Sequence, residues 1–192
     1  MNRLILATTN AGKVIEIRAA LGGIAEWSLE PLPPGLPAIE ETGDTFLENA
    51  MQKARHYSKY VAELTLSDDS GLSVAALGGG PGVHSARYAE DPASRIHRVL
   101  REMGPVPDSD RGAVFYCALA LARSGKVIWT VQKDVAGVIA RSPAGMEGFG
   151  YDPVFLLPEL NRTMAELTTG DKNRLSARGR ALAELRKFLT SL

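Results

Sequence analysis

The 192-residue sequence predicts an α/β protein that folds as one domain, residues 1–192. A short apolar run, Leu4–Ala7, is followed by a polar loop and then by a helical repeat of apolar residues. A second helical repeat begins at Phe46, and the apolar runs on either side of 123–125 are typical of a β-hairpin. Strands and amphipathic helices that follow one another along a chain of this length favour the α/β class.

The composition indicates a soluble globular protein. Apolar residues make up 45% of the chain, charged residues 23%, and the net charge is zero, which argues against binding to a nucleic acid polymer. The single cysteine, Cys117, cannot form an internal disulfide and lies in an apolar run, so we expect it in the core. No apolar stretch is long enough to cross a membrane and no signal peptide is evident, so we expect a cytoplasmic protein without a membrane partner.

The first loop has the pattern of a phosphate-binding loop. It lies between a strand and a helix whose apolar residues start at Val14, and it contains a glycine and a lysine. Backbone N–H groups at a helix N-terminus and a lysine ammonium both favour an anion, although the loop is not a Walker A sequence. Its residues are Thr8, Thr9, Asn10, Ala11, Gly12 and Lys13.

A proline-rich connector, Pro31–Pro37, precedes the second helix, whose apolar face includes Phe46 and Val61. Thr45 and Glu48 have the spacing of a capping box at its start. Lys53 lies on another stripe of this helix, and it is either a solvated lysine or a ligand of an anion.

The stretch Leu64–Val74 is where we expect chemistry. It is interpreted as an apolar strand that stops at Asp68 and Asp69, turns on Gly71 and resumes. Two adjacent carboxylates repel each other, so they suggest a shared cation or proton. An ordinary Asp-Ser-Gly turn is the alternative.

Further along, a glycine-rich loop at 78–82 precedes a helix that starts at Asp91 or Ser94 and ends before Gly104. The loop at 148–153 holds Phe149 and Tyr151, whose rings either stack on a flat ligand or pack into the core. A last helix is expected over 171–189, with Asp171 as its N-cap and basic residues near its start that favour phosphate.

Six blocks together resemble one family, the inosine/xanthosine triphosphate pyrophosphatases, in order and spacing from about Leu4 to Leu185. The blocks are Thr8–Lys13, Glu40–Gly43 with Glu48–Ala50, Ser67–Leu72, Gly79–Gly82 with Ser85–Tyr88, Gly148–Pro153 and Ala165–Leu167.

The resemblance implies an elongated, two-lobed mixed-sheet fold around a central nucleotide-binding cleft, assembled as a homodimer. It also implies Mg²⁺-dependent hydrolysis of a purine nucleoside triphosphate at the α–β bond. By position, Asp69 is the general base and a metal ligand, Glu41 is the second metal ligand, and Asp68 or Glu40 supports them. The substrate-binding residues implied are the 8–13 loop, Lys53, Ser70, Phe149, Gly150, Tyr151, Asp152, Lys172 and Arg178, with Arg87 as a further phosphate contact.

Two positions depart from the family pattern. Ala177 stands where the family usually has histidine before Arg178, and Thr9 stands where many members have glycine. The missing imidazole would help to recognise the base, so a different or broader base preference, such as dTTP or UTP, stays open as the alternative. A nucleotide sensor without catalysis is disfavoured, because the acids it would lack are present.

Overall fold

The computed structural model describes all residues 1–192. The chain forms seven strands, five α-helices and several short 3-10 helices. The strands are β1 (Asn2–Leu6), β2 (Trp27–Pro31), β3 (Leu64–Val74), β4 (Gly112–Arg123), β5 (Lys126–Ile139), β6 (Phe155–Leu157) and β7 (Arg162–Thr163). The helices are α1 (Ala11–Leu21), α2 (Phe46–Tyr57), α3 (Pro92–Glu102), α4 (Thr169–Leu175) and α5 (Ala177–Thr190). The predicted α/β class is therefore confirmed.

The seven strands form one mixed sheet in the order β2-β1-β3-β4-β5-β6-β7. Strand β1 pairs in parallel with β2 and with β3, where Leu4 lies opposite Leu64. The pairs β5–β6 and β6–β7 are antiparallel. Parallel pairing requires crossover connections, which α1 and α2 provide. None of the helices is long and apolar enough to span a membrane.

The chain divides into two compact units, each with its own buried residues. The first unit comprises residues 1–69, 117–133 and 178–192. Its core includes β1, the C-terminal half of β4 and leucines of α5, and the indole of Trp129 stacks on Phe188 with a centroid distance of 5.5 Å. The second unit comprises residues 70–116 and 134–177, and Met103, Val154 and Phe155 are buried in it.

Local sequence signals explain where the helices begin. The Asn10 side chain accepts a hydrogen bond from the Lys13 amide at 3.1 Å and caps α1, which therefore starts within the predicted loop. The predicted capping box of Thr45 and Glu48 is present at the start of α2. Asp91 caps α3 through the Ser94 amide, as predicted.

Four predictions about the elements were wrong, and the first is that α2 extends to Val61, because it ends at Tyr57. Strand β3 continues through Asp69 and Gly71 without a turn, because buried cations compensate the two acids. The last helix is interrupted: α4 is capped by Thr168 rather than Asp171, and Ser176 takes an extended conformation before α5. The predicted strand at 134–140 is the second half of β5, and β2 was not predicted.

Candidate active site

Asp68 is the centre of a buried charged cluster in the first unit. Its carboxylate accepts hydrogen bonds from Arg178 Nε at 2.8 Å and forms an ion pair with Lys13. Arg178 also pairs with Glu16 of α1. The thiol of Cys117, on β4, lies 3.3 Å from the same carboxylate. One strand and two helices, α1 and α5, are therefore tied together by charge.

The two sides of this cluster stabilise each other's charges. Burial alone would raise the pKa of Asp68, but Arg178 and Lys13 hold it well below its ordinary range. Burial would lower the pKa of Arg178, yet Asp68 raises it well above its ordinary value. Burial raises the pKa of the Cys117 thiol, with Asp68 adding to the shift, so this cysteine stays a neutral core residue as expected. Asp68 is thus ionised and fully engaged by the protein.

Asp69, the next residue, has different partners. Its Oδ1 atom lies 3.3 Å from the ammonium of Lys53, on α2, and the same ammonium lies 3.1 Å from Glu41 Oε1. Lys53 also donates to the Asp68 carbonyl at 2.8 Å. Successive side chains of a strand point to opposite faces, which explains why Asp68 contacts α1 and α5 while Asp69 contacts α2.

Electrostatics separate the two aspartates. Burial raises the pKa of Asp69 above its ordinary value, and Lys53 and Lys13 oppose this shift without cancelling it. Burial lowers the pKa of Lys53, but Asp69, Glu41 and Asp68 outweigh burial and raise it. The Oδ2 atom of Asp69 is buried and has no hydrogen-bond partner. Asp69 therefore has one oxygen, Oδ1, held by Lys53 and another, Oδ2, that can bind a proton or a ligand.

The predicted phosphate loop follows β1 and includes the first turn of α1. Thr9, Asn10 and Ala11 are exposed, and the Thr8 hydroxyl accepts a hydrogen bond from the Asn10 amide at 3.2 Å. The Lys13 ammonium lies against both the carboxylate and, at 3.3 Å, the carbonyl of Asp68. The first-turn amides of α1 have the arrangement that suits an anion.

The second unit holds the loop with the predicted aromatic residues. The Phe149 amide donates to Asp152 Oδ2 at 2.7 Å, and this carboxylate is paired with the buried ammonium of Lys172. That ammonium lies 5.2 Å from the centroid of the half-buried Phe149 ring. Tyr151 is buried and its hydroxyl donates to the Ser85 carbonyl at 2.9 Å, so its ring packs in the core.

Gly148 makes this loop possible. Its backbone has a φ of +78°, which disfavours other residues, and a Cβ there would lie 2.2 Å from Asp152 Oδ2 and 2.6 Å from Lys172 Nζ. The loop backbone therefore passes directly over the ion pair.

The predicted site residues thus fall into two groups. The structure brings Lys13, Glu41, Lys53, Asp69 and Arg178 together with the 8–12 loop in the first unit, where Arg178 pairs with the carboxylates of Asp68 and Glu16. In the second unit it brings Phe149, Asp152 and Lys172 together, with Gly150 and Tyr151 in the same loop; Ser70 belongs to this unit and follows Asp69 on β3. The roles assigned to these residues stay predictions.

Sequence reasoning missed two buried polar residues of the first unit, Glu16 and Asn49. Glu16 stands between Ile15 and Ile17, a charged residue in an apolar pattern, and this was its only signal. Asn49 is fully buried and accepts a hydrogen bond from the Gly43 amide at 2.8 Å. The sequence signal for Asn49 is its spacing of four residues from Lys53, which puts both on one side of the helix.

The carboxylates fit a hard cation such as Mg²⁺. No group of three or more His, Cys, Asp or Glu side chains is arranged to hold a metal ion. Mg²⁺ that is held jointly by one or two carboxylates, by substrate phosphates and by water does not require such a group. Asp69 and Glu41 share one ammonium, and the buried Asp69 Oδ2 atom has no protein partner, so this pair is the set of oxygens that suits Mg²⁺.

Comparison with known proteins gives consistent matches over nearly the whole chain. The model of the Ham1 family matches residues 4–188. A dITP/XTP pyrophosphatase from Gloeobacter violaceus is 49% identical over 96% of this chain and 93% of its own length. One from Escherichia coli is 42% identical over 95% of each chain. The solved structure of a HAM1 protein from Coxiella burnetii matches with a TM-score of 0.89 and 42% identity over 100% of both chains.

Proposed function

Because the chain belongs to the Ham1 family, we propose that it hydrolyses non-standard purine nucleoside triphosphates, namely ITP, dITP and XTP, to the monophosphate and pyrophosphate. The observation that carries the proposal is the convergence of Asp69 and Glu41 on the Lys53 ammonium. This ammonium and that of Lys13, in the first turn of α1, both donate to the Asp68 carbonyl. The curated relatives named dITP/XTP pyrophosphatase support the substrate class. Such an enzyme would remove deaminated purines from the nucleotide pool.

Asp69 is the proposed general base. Its Oδ1 atom is oriented by Lys53, which leaves Oδ2 to accept a proton from water. The water oxygen forms a bond to the α-phosphorus, the bond between that phosphorus and the bridging oxygen breaks, and pyrophosphate leaves. A raised pKa makes the Asp69 carboxylate a better proton acceptor than an ordinary surface aspartate.

Glu41 and Asp69 are the residues proposed to hold Mg²⁺. When bound, the ion neutralises charge that develops on the phosphoryl oxygens. Two lysines also place positive charge near these groups. Lys13 lies in the first turn of α1, whose amides are suited to phosphate, and Lys53 restrains the carboxylates of Glu41 and Asp69. Asp68 is not needed as a ligand in this scheme, because Arg178 and Lys13 engage its carboxylate.

The 149–152 loop is proposed to bind the base. The half-buried ring of Phe149 is available for stacking, and the Lys172–Asp152 pair fixes the loop that carries it. Selection against adenosine and guanosine would follow from rejecting an amino group that lacks an acceptor, which costs about 1–3 kcal/mol.

The test is pyrophosphate release by the purified protein with ITP, XTP, dITP, GTP, ATP, dTTP and UTP, each with Mg²⁺ and with EDTA. We expect kcat/KM for ITP and XTP to exceed that for GTP by roughly 5- to 150-fold, the ratio that about 1–3 kcal/mol corresponds to. We expect no turnover in EDTA. Release of orthophosphate instead of pyrophosphate would contradict cleavage of the α–β bond.

A second candidate function is a triphosphate pyrophosphatase with a broader base preference. The observation that favours it is Ala177, a buried small residue where the family usually has histidine. Comparable kcat/KM values for dTTP, UTP and ITP would establish it in place of the purine-specific enzyme.

The Asp69→Asn variant tests the proposed base. We expect nucleotide binding to persist and pyrophosphate release to fall by about 10²-fold or more, the scale for losing a general base. The matched control is Asp110→Asn, which changes an exposed acid in the second unit and should leave turnover unchanged. Turnover retained by Asp69→Asn would exclude Asp69 from the role.

We further propose that the protein forms a homodimer, as the family resemblance implies. Light scattering that gives a mass near 20.6 kDa, the mass of one chain, would contradict this.

A further inference from the structure

Four consecutive backbone N–H groups, those of residues 42–45, donate hydrogen bonds to side chains of α2 or its first turn. The Thr42 amide donates to Gln52 Oε1 at 3.2 Å and the Gly43 amide donates to Asn49 Oδ1 at 2.8 Å. The amides of Asp44 and Thr45 both donate to Glu48 Oε2 at 3.0 Å. We call residues 42–45 the amide segment.

Helix capping accounts for only half of this arrangement. The bonds to Glu48 belong to the capping box, which many helices have. The bonds to Asn49 and Gln52 lie beyond it and reach back toward Glu41.

The side chain of Asn49 lowers the stability of the fold in one respect, because a buried part of it has no partner. The residue is fully buried, its Oδ1 atom accepts from Gly43, and its Nδ2 group has no hydrogen-bond partner. Burying an amide donor without a partner opposes folding. An asparagine at this position is therefore explained by the one acceptor that it places on the Gly43 amide.

The contact is also tight. A Cβ on Gly43 would lie 2.8 Å from Asn49 Oδ1 and 2.7 Å from Glu48 Cβ, so only glycine permits this approach without a shift. Lys53, one turn after Asn49, bonds the Glu41 carboxylate at 3.1 Å. The same helix therefore restrains the carboxylate of Glu41 and the backbone that follows it directly.

We propose that Asn49 and Gln52 are positioning residues that hold the amide segment on α2 and thereby set the Glu41 carboxylate beside Asp69. The proposal rests on the proposed function, in which Glu41 and Asp69 hold Mg²⁺ together. Both residues act through Glu41 and contact neither substrate nor metal. Supporting residues of this kind typically change metal affinity or activity 10- to 100-fold when they are removed.

The first test is Asn49→Ala with two measurements. Hydrogen exchange followed by NMR should show the Gly43 amide protected in the wild type and exchanging at least about tenfold faster in the variant, while the Asp44 and Thr45 amides keep their protection. The Mg²⁺ concentration for half-maximal pyrophosphate release from ITP should rise about tenfold or more. A purely structural role would lower the melting temperature without changing the Mg²⁺ requirement.

Gln52→Ala serves as the second variant, because Gln52 is only half-buried and its removal leaves the core intact. It should speed exchange of the Thr42 amide and raise the Mg²⁺ requirement in the same direction. Arg55→Ala is the matched control, an exposed position on the same helix, and it should change neither measurement.

Pyrophosphate release by the wild type and the Mg²⁺ requirement of the variants test the proposed function and this inference separately. If the wild type releases pyrophosphate from ITP and both variants keep its Mg²⁺ requirement within twofold, the inference is wrong and the function stands. If the wild type releases none, the proposed function is wrong and the inference falls with it.

Discussion

Arg178→Met should unfold the protein far more easily, because Arg178 is part of a buried charged cluster. Its guanidinium lies 2.8 Å from one oxygen of Asp68 and 3.5 Å from the other, and it pairs with Glu16 as well. Removing one partner of a buried ion pair costs about 3–5 kcal/mol, since a charge is left buried without compensation. Asp68 keeps Lys13, and methionine fills much of the volume, so we expect a loss within that range.

Urea unfolding followed by circular dichroism measures this loss as a change in the free energy of unfolding. For a chain of 192 residues, the same loss lowers Tm by roughly 6–20 °C. Arg186→Met is the control: this exposed arginine donates only to the Ala20 carbonyl, and we expect a change below about 0.5 kcal/mol.

A second measurement separates stability from base recognition. In the double variant with Asp68→Asn, the losses should not add, because both changes remove the same interaction. A destabilisation by Arg178→Met below about 1 kcal/mol, together with a raised KM for ITP, would refute the structural role and favour the predicted contact with the base.

Two further predictions concern the other charged contacts. Because the folded pKa of Asp68 lies below its unfolded value of 3.8, the unfolded chain takes up the proton first, and the contribution of Asp68 to stability is lost as pH falls below that value. Asp68→Asn should reduce the fall in unfolding free energy between pH 4 and pH 3 by about 0.9 kcal/mol, and an equal fall in both proteins, measured by urea unfolding at each pH, would contradict this. Gly148→Ala should raise KM for ITP roughly 5- to 150-fold, the equivalent of about 1–3 kcal/mol of backbone strain, since its φ is +78° and a Cβ would meet Asp152. A KM for ITP equal to that of the wild type in steady-state assays would show that the loop tolerates the change.

Local sequence patterns predicted the starts of α2 and α3 and the presence of β4 and β5. The capping box at Thr45 and the N-cap at Asp91 set the starts of α2 and α3 where predicted. The apolar runs around residues 123–125 gave β4 and β5. Each cap joins residues three positions apart, and the hairpin depends on a short turn between two apolar runs, so all of these signals are local in the sequence.

The charged contacts depended on residues that are far apart in the sequence. Arg178 is 110 residues from Asp68 and 162 from Glu16, and no spacing predicts such pairs. The same distance explains the wrong turn at Gly71. Two adjacent acids suggest a break only while their compensating cations are unknown, and the structure supplies those cations from α1, α2 and α5. Family resemblance named the residues of the site and implied different roles for Asp68 and Asp69, whereas the partners of each carboxylate required the fold.

Because β3 continues through both aspartates, the register of this strand decides which face of the sheet each carboxylate occupies. A slip of the strand by one residue against β1 would turn every side chain to the opposite face, and in one direction it would put Asp69 in the place of Asp68 and Asp68 in the place of Ser67. The pairing of Leu4 with Leu64 and of Leu6 with Leu66 opposes that slip, because both leucines of β3 are fully buried. A deletion of Ser67 would therefore move Asp69 into the position of Asp68, beside Arg178, and leave Ser70 in the position beside Lys53.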